Sequence, residues 1–187
     1  MGPTDEELVA AVQAGDVSAF DALVCRWDHK IRGAAFRVLR SDEDARDVSQ
    51  EAFLKAFRGL KSFKREARFS SWLYQIAMNL CRDRLRRRRG RNYVSLDDVA
   101  EHGEPALHQG PLALAALETR DVARAVSLAV DSLSEDQREV VVLKEYEGLT
   151  FPEIAEILGV PLSTVKTRLY RALGQLRVEL ERRGFAG

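Results

Sequence analysis

The chain has 187 residues, 45% of them apolar, and its 29 basic and 29 acidic side chains cancel to a formal net charge of zero. That length holds one large or two small domains with real cores. It contains no apolar run near the roughly 18 residues of a membrane span, its charged opening Asp5-Glu6-Glu7 is unlike a signal peptide, and long alternating β-branched runs are absent.

Helical signals begin at once. Thr4 and Glu7 have the spacing of a capping box, and Gly15 closes the short helix they start. Phe20, Leu23, Val24, Trp27, Ile31, Ala34 and Val38 then recur at helical spacing. After a break at "RSDED", Ala45, Val48, Ala52, Phe53, Ala56 and Leu60 form the next apolar stripe. The outer face of that helix presents Asp44, Asp47, Gln50, Glu51, Lys55 and Arg58, a set that ordinary solvation would explain.

A third long helix starts near Ser70, with Phe69, Trp72, Leu73, Ile76, Ala77 and Leu80 inward. Gln75, Met78, Asn79, Arg82, Asp83 and Arg86 fall on its other faces, and it runs into "RLRRRRGR". An arginine run alone reads equally as a nonspecific tail. Continuous with amide and aromatic side chains, it suits nucleic acid: amides read base edges, guanidinium groups follow phosphates, aromatic rings offer stacking planes.

Charge is segregated along the chain. Residues 65–91 carry nine Lys/Arg against two acids, whereas residues 92–130 carry six acids against two arginines. Gly103, Pro105, Gly110 and Pro111 interrupt the acidic part, so residues 92–119 read as a flexible linker between domains at 1–91 and 120–187. The expected fold class is therefore all-α, two small helical domains.

The second domain contains "LTFPEIAEILGVPLSTVKTRLYRAL", a helix-turn-helix pattern. Thr150 and Glu153 make a capping box, Leu149 and Ile154 a hydrophobic staple, and Pro152 sits in the tolerated first turn. Ile154, Ala155 and Leu158 face one way, Gly159 ends the helix, and Pro161 opens the next. Val165, Leu169, Ala172, Leu173 and Leu176 form the back of that second helix. Its front carries Ser163, Thr167, Tyr170 and Arg171, flanked by Lys166 and Arg168, which fits a reading helix in a major groove. From Leu162 to Arg183 there are six basic residues against two acidic ones. Cys25 and Cys81 read as reduced, buried thiols, and His29, His102 and His108 share no metal-ligand spacing with them or each other. No metal or cofactor is expected, and the acids are too dispersed for an enzyme site.

"SDEDARDVSQEAFLKAFRGLKSF" followed by "FSSWLYQIAMNLCRDRLRR" resembles the second conserved region of bacterial sigma factors. "LSEDQREVVVLKEYEGLTFPEIAEILGVPLSTVKTRLYRAL" is similar to their fourth region. The two-domain layout resembles the extracytoplasmic function group, in the sigma-70 family. The resemblance implies that Asp44, Asp47, Gln50 and Glu51 dock on the clamp helices of the largest subunit of core RNA polymerase, while the second domain meets the flap of the second subunit. The loop from Phe63 to Arg68 would capture a base flipped from the opened minus-ten strand, although "KREAR" there departs from the short Gly-containing loop of some relatives. Trp72, Gln75, Asn79, Arg82 and Arg86 would line the neighbouring strand path. Ser163, Thr164, Lys166, Thr167, Arg168, Tyr170 and Arg171 would read the minus-thirty-five duplex. A cytoplasmic location and an anti-sigma partner, itself membrane-bound in part of the family, are further implications. The rival is a LuxR-like regulator with a similar reading helix, but residues 1–91 show no βαβ alternation for a receiver domain.

Overall fold

The computed structural model describes residues 2–64, 68–92 and 115–185. Every element among them is helical. In the N-terminal half these are α1 (Asp5–Gln13), α2 (Ser18–Leu39), α3 (Asp42–Gly59), a 3-10 turn at Leu60–Ser62, and α4 (Phe69–Asn92). The C-terminal half has α5 (Ala115–Asp131), α6 (Glu135–Val141), a π-helical turn at Val142–Tyr146, α7 (Phe151–Leu158) and α8 (Leu162–Arg182). Most of the expected linker lies outside the described residues, and α5 begins at Ala115, within its C-terminal end.

Local chemistry starts the helices where the sequence places them. Thr4 Oγ1 accepts from the Glu7 main-chain N–H at 3.2 Å while the Glu7 carboxylate accepts from Thr4 N at 2.8 Å, a complete capping box. Ser134 and Gln137 repeat the device on α6, and Thr150 and Glu153 on α7. Gly159 closes α7 at φ 65°, a left-handed position that costs glycine nothing. Arg40 closes α2 at φ 57° although it is not glycine. Its guanidinium reaches Asp131 at 2.5 Å and Ser127 at 2.7 Å on α5, so a distant contact offsets a local strain of about 1–2 kcal/mol.

α2, α3 and α4 pack through small residues. Ala34, Ala35, Ala45, Ala52, Ala56 and Ala77 are fully buried, which lets the helix axes approach closely. Leu23, Ile31, Val48, Leu73 and Met78 fill the remaining space. This core is continuous with Val140, Val142, Leu143, Ile154, Val165 and Leu169, so one buried cluster runs through both halves. The two halves thus pack face to face, an arrangement that periodicity does not encode.

Three expectations are corrected. Met78 is completely buried, because α4 is covered by α2 and α3 on one side and by α7 on another. Cys25 is exposed on α2, whereas Cys81 is buried, and burial raises its thiol pKa well above the ordinary range. Leu173 is 40% exposed, leaving Val165, Leu169 and Ala172 as the buried back of α8.

Candidate core-docking and nucleic-acid surfaces

The acidic face of α3 is not uniform. Asp44 is half-buried and holds Arg84 Nη1 of α4 at 2.8 Å, with Arg88 as a second partner. Asp47 and Glu51 lie further out, 3.1 and 4.0 Å from the same Arg84 guanidinium, and Gln50 is exposed. Leu54 and Phe57 extend this side of α3 with 56% and 40% exposure. An amide, two partly free carboxylates and an apolar strip therefore share an accessible side. The sequence reading missed Leu54 and Phe57, whose i, i+4, i+7 spacing from Gln50 was the available signal.

The turn after α3 brings three aromatic rings together. Phe63 lies 4.7 Å from Trp72 with rings tilted by 30°, and Phe69 meets both edge-on. Trp72 also sits so close to Gly59 that a Cβ there would be 3.0 Å from its ring. The Gln13 amide donates to the Leu60 and Phe63 carbonyls at 2.9 and 3.0 Å, tying the turn to α1. Residues 65–67 of the expected base pocket lie outside the described residues. Arg68, at the far side of that loop, is exposed and pairs with Glu153 at 3.3 Å.

Along α4, Gln75 is half-buried, while Asn79 and Arg86 face solvent. Among the described residues Arg86 pairs with Asp83 at 2.7 Å, an exposed contact. Arg82 is held differently. Its Nε and Nη2 donate to the buried Glu139 carboxylate of α6 at 2.8–3.1 Å, and its Nη1 donates to the Leu158 carbonyl at 3.3 Å.

The front of α8 is open. Ser163, Lys166, Thr167, Tyr170 and Arg171 are exposed, Tyr170 to 64%, and Thr164 is half-buried. Thr167 Oγ1 donates to the Ser163 carbonyl at 2.8 Å. Arg168 is turned toward α6, pairing with Asp136 at 2.5 Å, so it stands at the edge of this surface. Two surfaces of nucleic-acid character, one on α4 and one on α8, therefore occur on one chain.

Family models for "Sigma-70 region 2" and "Sigma-70, region 4" match residues 23–91 and 123–176. The chain is 39% identical over 175 residues to the RNA polymerase sigma-H factor of Pseudomonas aeruginosa, covering 90% of this chain and 89% of that one. It is 38% identical to the ECF RNA polymerase sigma-E factor of Escherichia coli K12, covering 90% of both. Among solved structures it is similar to CnrH in complex with the cytosolic domain of CnrY, with TM-score 0.70, 30% identity, and coverage of 95% and 97%. The sigma factor RpoE bound to the anti-sigma factor NepR from Bartonella quintana shares the fold, with TM-score 0.74, 24% identity, and coverage of 88% and 98%. The match of 23–91 to region 2 decides against the LuxR-like regulator.

Proposed function

The chain belongs to the extracytoplasmic function group of the sigma-70 family, and we propose how its surfaces divide the work of initiation. It is an alternative sigma factor, a transcription initiation factor and not an enzyme. It binds core RNA polymerase and directs promoter recognition and opening. Asp47, Gln50 and Glu51 dock on the clamp helices of the largest subunit, with Asp44 bracing them from behind through Arg84. The C-terminal domain meets the flap. Ser163, Thr164, Lys166, Thr167, Tyr170 and Arg171 read the minus-thirty-five duplex, with Arg168 at its edge. Asn79, Arg82 and Arg86 guide the opened minus-ten strand, beside the Phe63–Trp72 cluster, Gln75 and Arg68.

The observation that carries this reading is the separation of two accessible polar surfaces on helices of opposite halves. One helix with exposed hydroxyl and guanidinium groups suits a closed major groove; the other, with an amide and arginines, suits a splayed strand. Opening about ten base-pair steps costs on the order of 14 kcal/mol at ~1.4 per step. A few stacked or pocketed bases return ~1–3 kcal/mol each, so the chain must act with the polymerase core.

Among the described residues no helix is long and apolar enough to cross a membrane. A cytoplasmic location follows from the partner, since polymerase and promoter are there. A membrane-bound anti-sigma factor holds the protein inactive; one similar solved chain is a sigma factor in complex with the anti-sigma factor NepR. Run-off transcription with purified core polymerase tests the function. A promoter-specific transcript that requires this chain is expected, and none would overturn it.

A further inference from the structure

The turn that follows α3 is held from a distance. Leu60 anchors its inner end in the core at 1% exposure, while Lys61 and Ser62 lie in solvent. Within the turn, Phe63 N donates to the Leu60 carbonyl at 3.2 Å and Ser62 Oγ to the Gly59 carbonyl at 2.9 Å. A three-residue 3-10 turn is marginal by itself, because its hydrogen bonds are poorly aligned. Gln13, 47 and 50 residues away in the chain, supplies a cross-tie: its Nε2 donates to the carbonyls of Leu60 and Phe63 at 2.9 and 3.0 Å. One amide nitrogen carries two N–H groups, so both ends of the turn are fixed from a single atom.

Gln13 is the last residue of α1, and α1 is itself firmly seated. Nine residues are too few for a helix to hold in water unaided. Leu8 and Val9 are buried in the core cluster, and the Asp5 carboxylate accepts from Trp27 Nε1 at 3.0 Å and pairs with Arg26 at 2.5 Å, both on α2. A brace therefore runs from α2 through α1 to the turn at Phe63. On the α4 side, Phe69 is 1% exposed, and the Trp72 ring lies against Gly59, where a Cβ would stand 3.0 Å from it. Phe69 and Trp72 are thus confined by their own helix and its neighbours. Phe63 is the ring whose backbone hangs on the turn.

Resting on the place given above to the Phe63–Trp72 cluster beside the opened strand, we propose that Gln13 is a positioning residue for strand capture. It presets the Phe63 backbone, and with it the ring pair at 4.7 Å, before a base arrives. A base that stacks on a preset ring incurs little ordering cost, whereas a loose ring must be immobilised at the moment of binding. Gln13 acts through main-chain carbonyls, so its effect should follow its two N–H donors and not its bulk. α1 gains a role by the same argument: it carries the donor that shapes a surface on the far side of α3.

The test measures strand binding by the full chain assembled with core polymerase. The probe is a single-stranded DNA of about 12 nucleotides, selected from a random pool on the parent assembly, beside the same strand with every base removed. The abasic copy keeps the phosphates but offers no ring to stack. Gln13→Met removes the donor at similar length, and Gln13→Asn keeps the amide one methylene too short to reach both carbonyls. Both should bind the base-bearing strand about tenfold more weakly and the abasic strand as the parent does. Gln13→Lys restores a donor of that reach and should recover most of the loss. In the free chain, amide exchange over residues 60–63 should quicken in Gln13→Met and Gln13→Asn and slow again in Gln13→Lys. Should Gln13→Met fail to fold by circular dichroism, Gln13→Asn carries both measurements. Unchanged exchange, or an equal loss on both strands, would overturn the proposal. Failure to assemble with core polymerase strikes the sigma role, and the exchange measurement still decides whether Gln13 holds the turn.

Discussion

Asp44 on α3 and Arg84 on α4 form an ion pair at 2.8 Å, and this contact sets one half-buried carboxylate apart from the more exposed ones on the same acidic face. Asp44 is 20% exposed and also engages Arg88, whereas Asp47 is 50% and Glu51 44% exposed. Reversing charge at Asp47 and Glu51 should weaken binding to core polymerase while leaving the melting temperature within a few degrees, since exposed substitutions fall within about 0.5 kcal/mol. Asp44→Ala should instead lower stability by roughly 1–3 kcal/mol, because Arg84 and Arg88 lose the half-buried carboxylate they share. Titration against core together with thermal melts checks both; equal loss of core affinity with full stability in Asp44→Ala would place it in the docking surface.

The α7 cap predicts stability effects of known size. Thr150 Oγ1 accepts from Glu153 N at 3.4 Å and donates to the Glu153 carboxylate at 2.7 Å. Thr150→Ala should cost roughly 0.5–2 kcal/mol. Gly159→Ala should cost about 1–2 kcal/mol, because the added Cβ is strained at φ 65° even though it would meet no neighbour within 4 Å. Hydrogen bonds from the Thr150 side chain and backbone hold the Glu153 pKa below its ordinary value of 4.5. A lowered carboxyl pKa adds stability that is fully present above the unfolded value and is lost as pH falls through the lower, folded one. Denaturant melts of Glu153→Gln and the parent should therefore converge in acid.

On α8, Arg171→Ala should cost ~1–3 kcal/mol at one base pair of the minus-thirty-five element if the guanidinium forks to a base edge. Lys166 is exposed, with its ammonium 5.9 Å from the Phe151 ring, and is the residue proposed to meet a phosphate. Its replacement by Ala should weaken all sequences evenly and lower the salt slope by about one. Affinity series over promoter variants and salt separate the two; a sequence-blind effect of Arg171→Ala would move it to the phosphate class.

Asn79 should act at a later step. It is exposed on α4, where an amide cannot reach stacked base edges inside a closed duplex. Asn79→Ala should leave closed-complex formation nearly intact and reduce permanganate reactivity of the melted strand. Duplex binding impaired as strongly as by Arg171→Ala would end this division of labour.

Tyr74 gives an alkaline prediction. It is 2% exposed, packs edge-on against Trp27 with centroids 6.0 Å apart, and donates to Glu147 across the two halves. Burial first, then the Glu147 carboxylate, raises its pKa above the ordinary 10.0. A raised phenol pKa adds stability that is fully present below the unfolded value and is lost as pH rises through the folded one. Of the 4 tyrosines, Tyr74 should ionise last in a spectrophotometric titration, together with unfolding, and Tyr74→Phe should remove that late step.

What the sequence determined by itself is local. Helix caps act within three or four residues, so Thr4–Glu7, Thr150–Glu153 and Gly159 could be read directly, and apolar spacing identified the backs of α2, α3 and α8. The polar front of α8 was legible for the same reason: side chains of one helix share a face by geometry. Tertiary structure decided everything that depends on which surface meets which. Arg82 and Asn79 lie one turn apart on α4, yet Asn79 is open and Arg82 is bound to Glu139, 57 residues away. Nothing near Glu139 or Arg40 in the sequence points to the distant partner each one finds, and Leu173 has the spacing of the helix's apolar back yet is 40% exposed. Each depends on how α5 to α7 pack on α2 and α4. Periodicity marks a face as buried or free within its own helix, but burial across domains comes from shape and charge that only meet after the chain has folded.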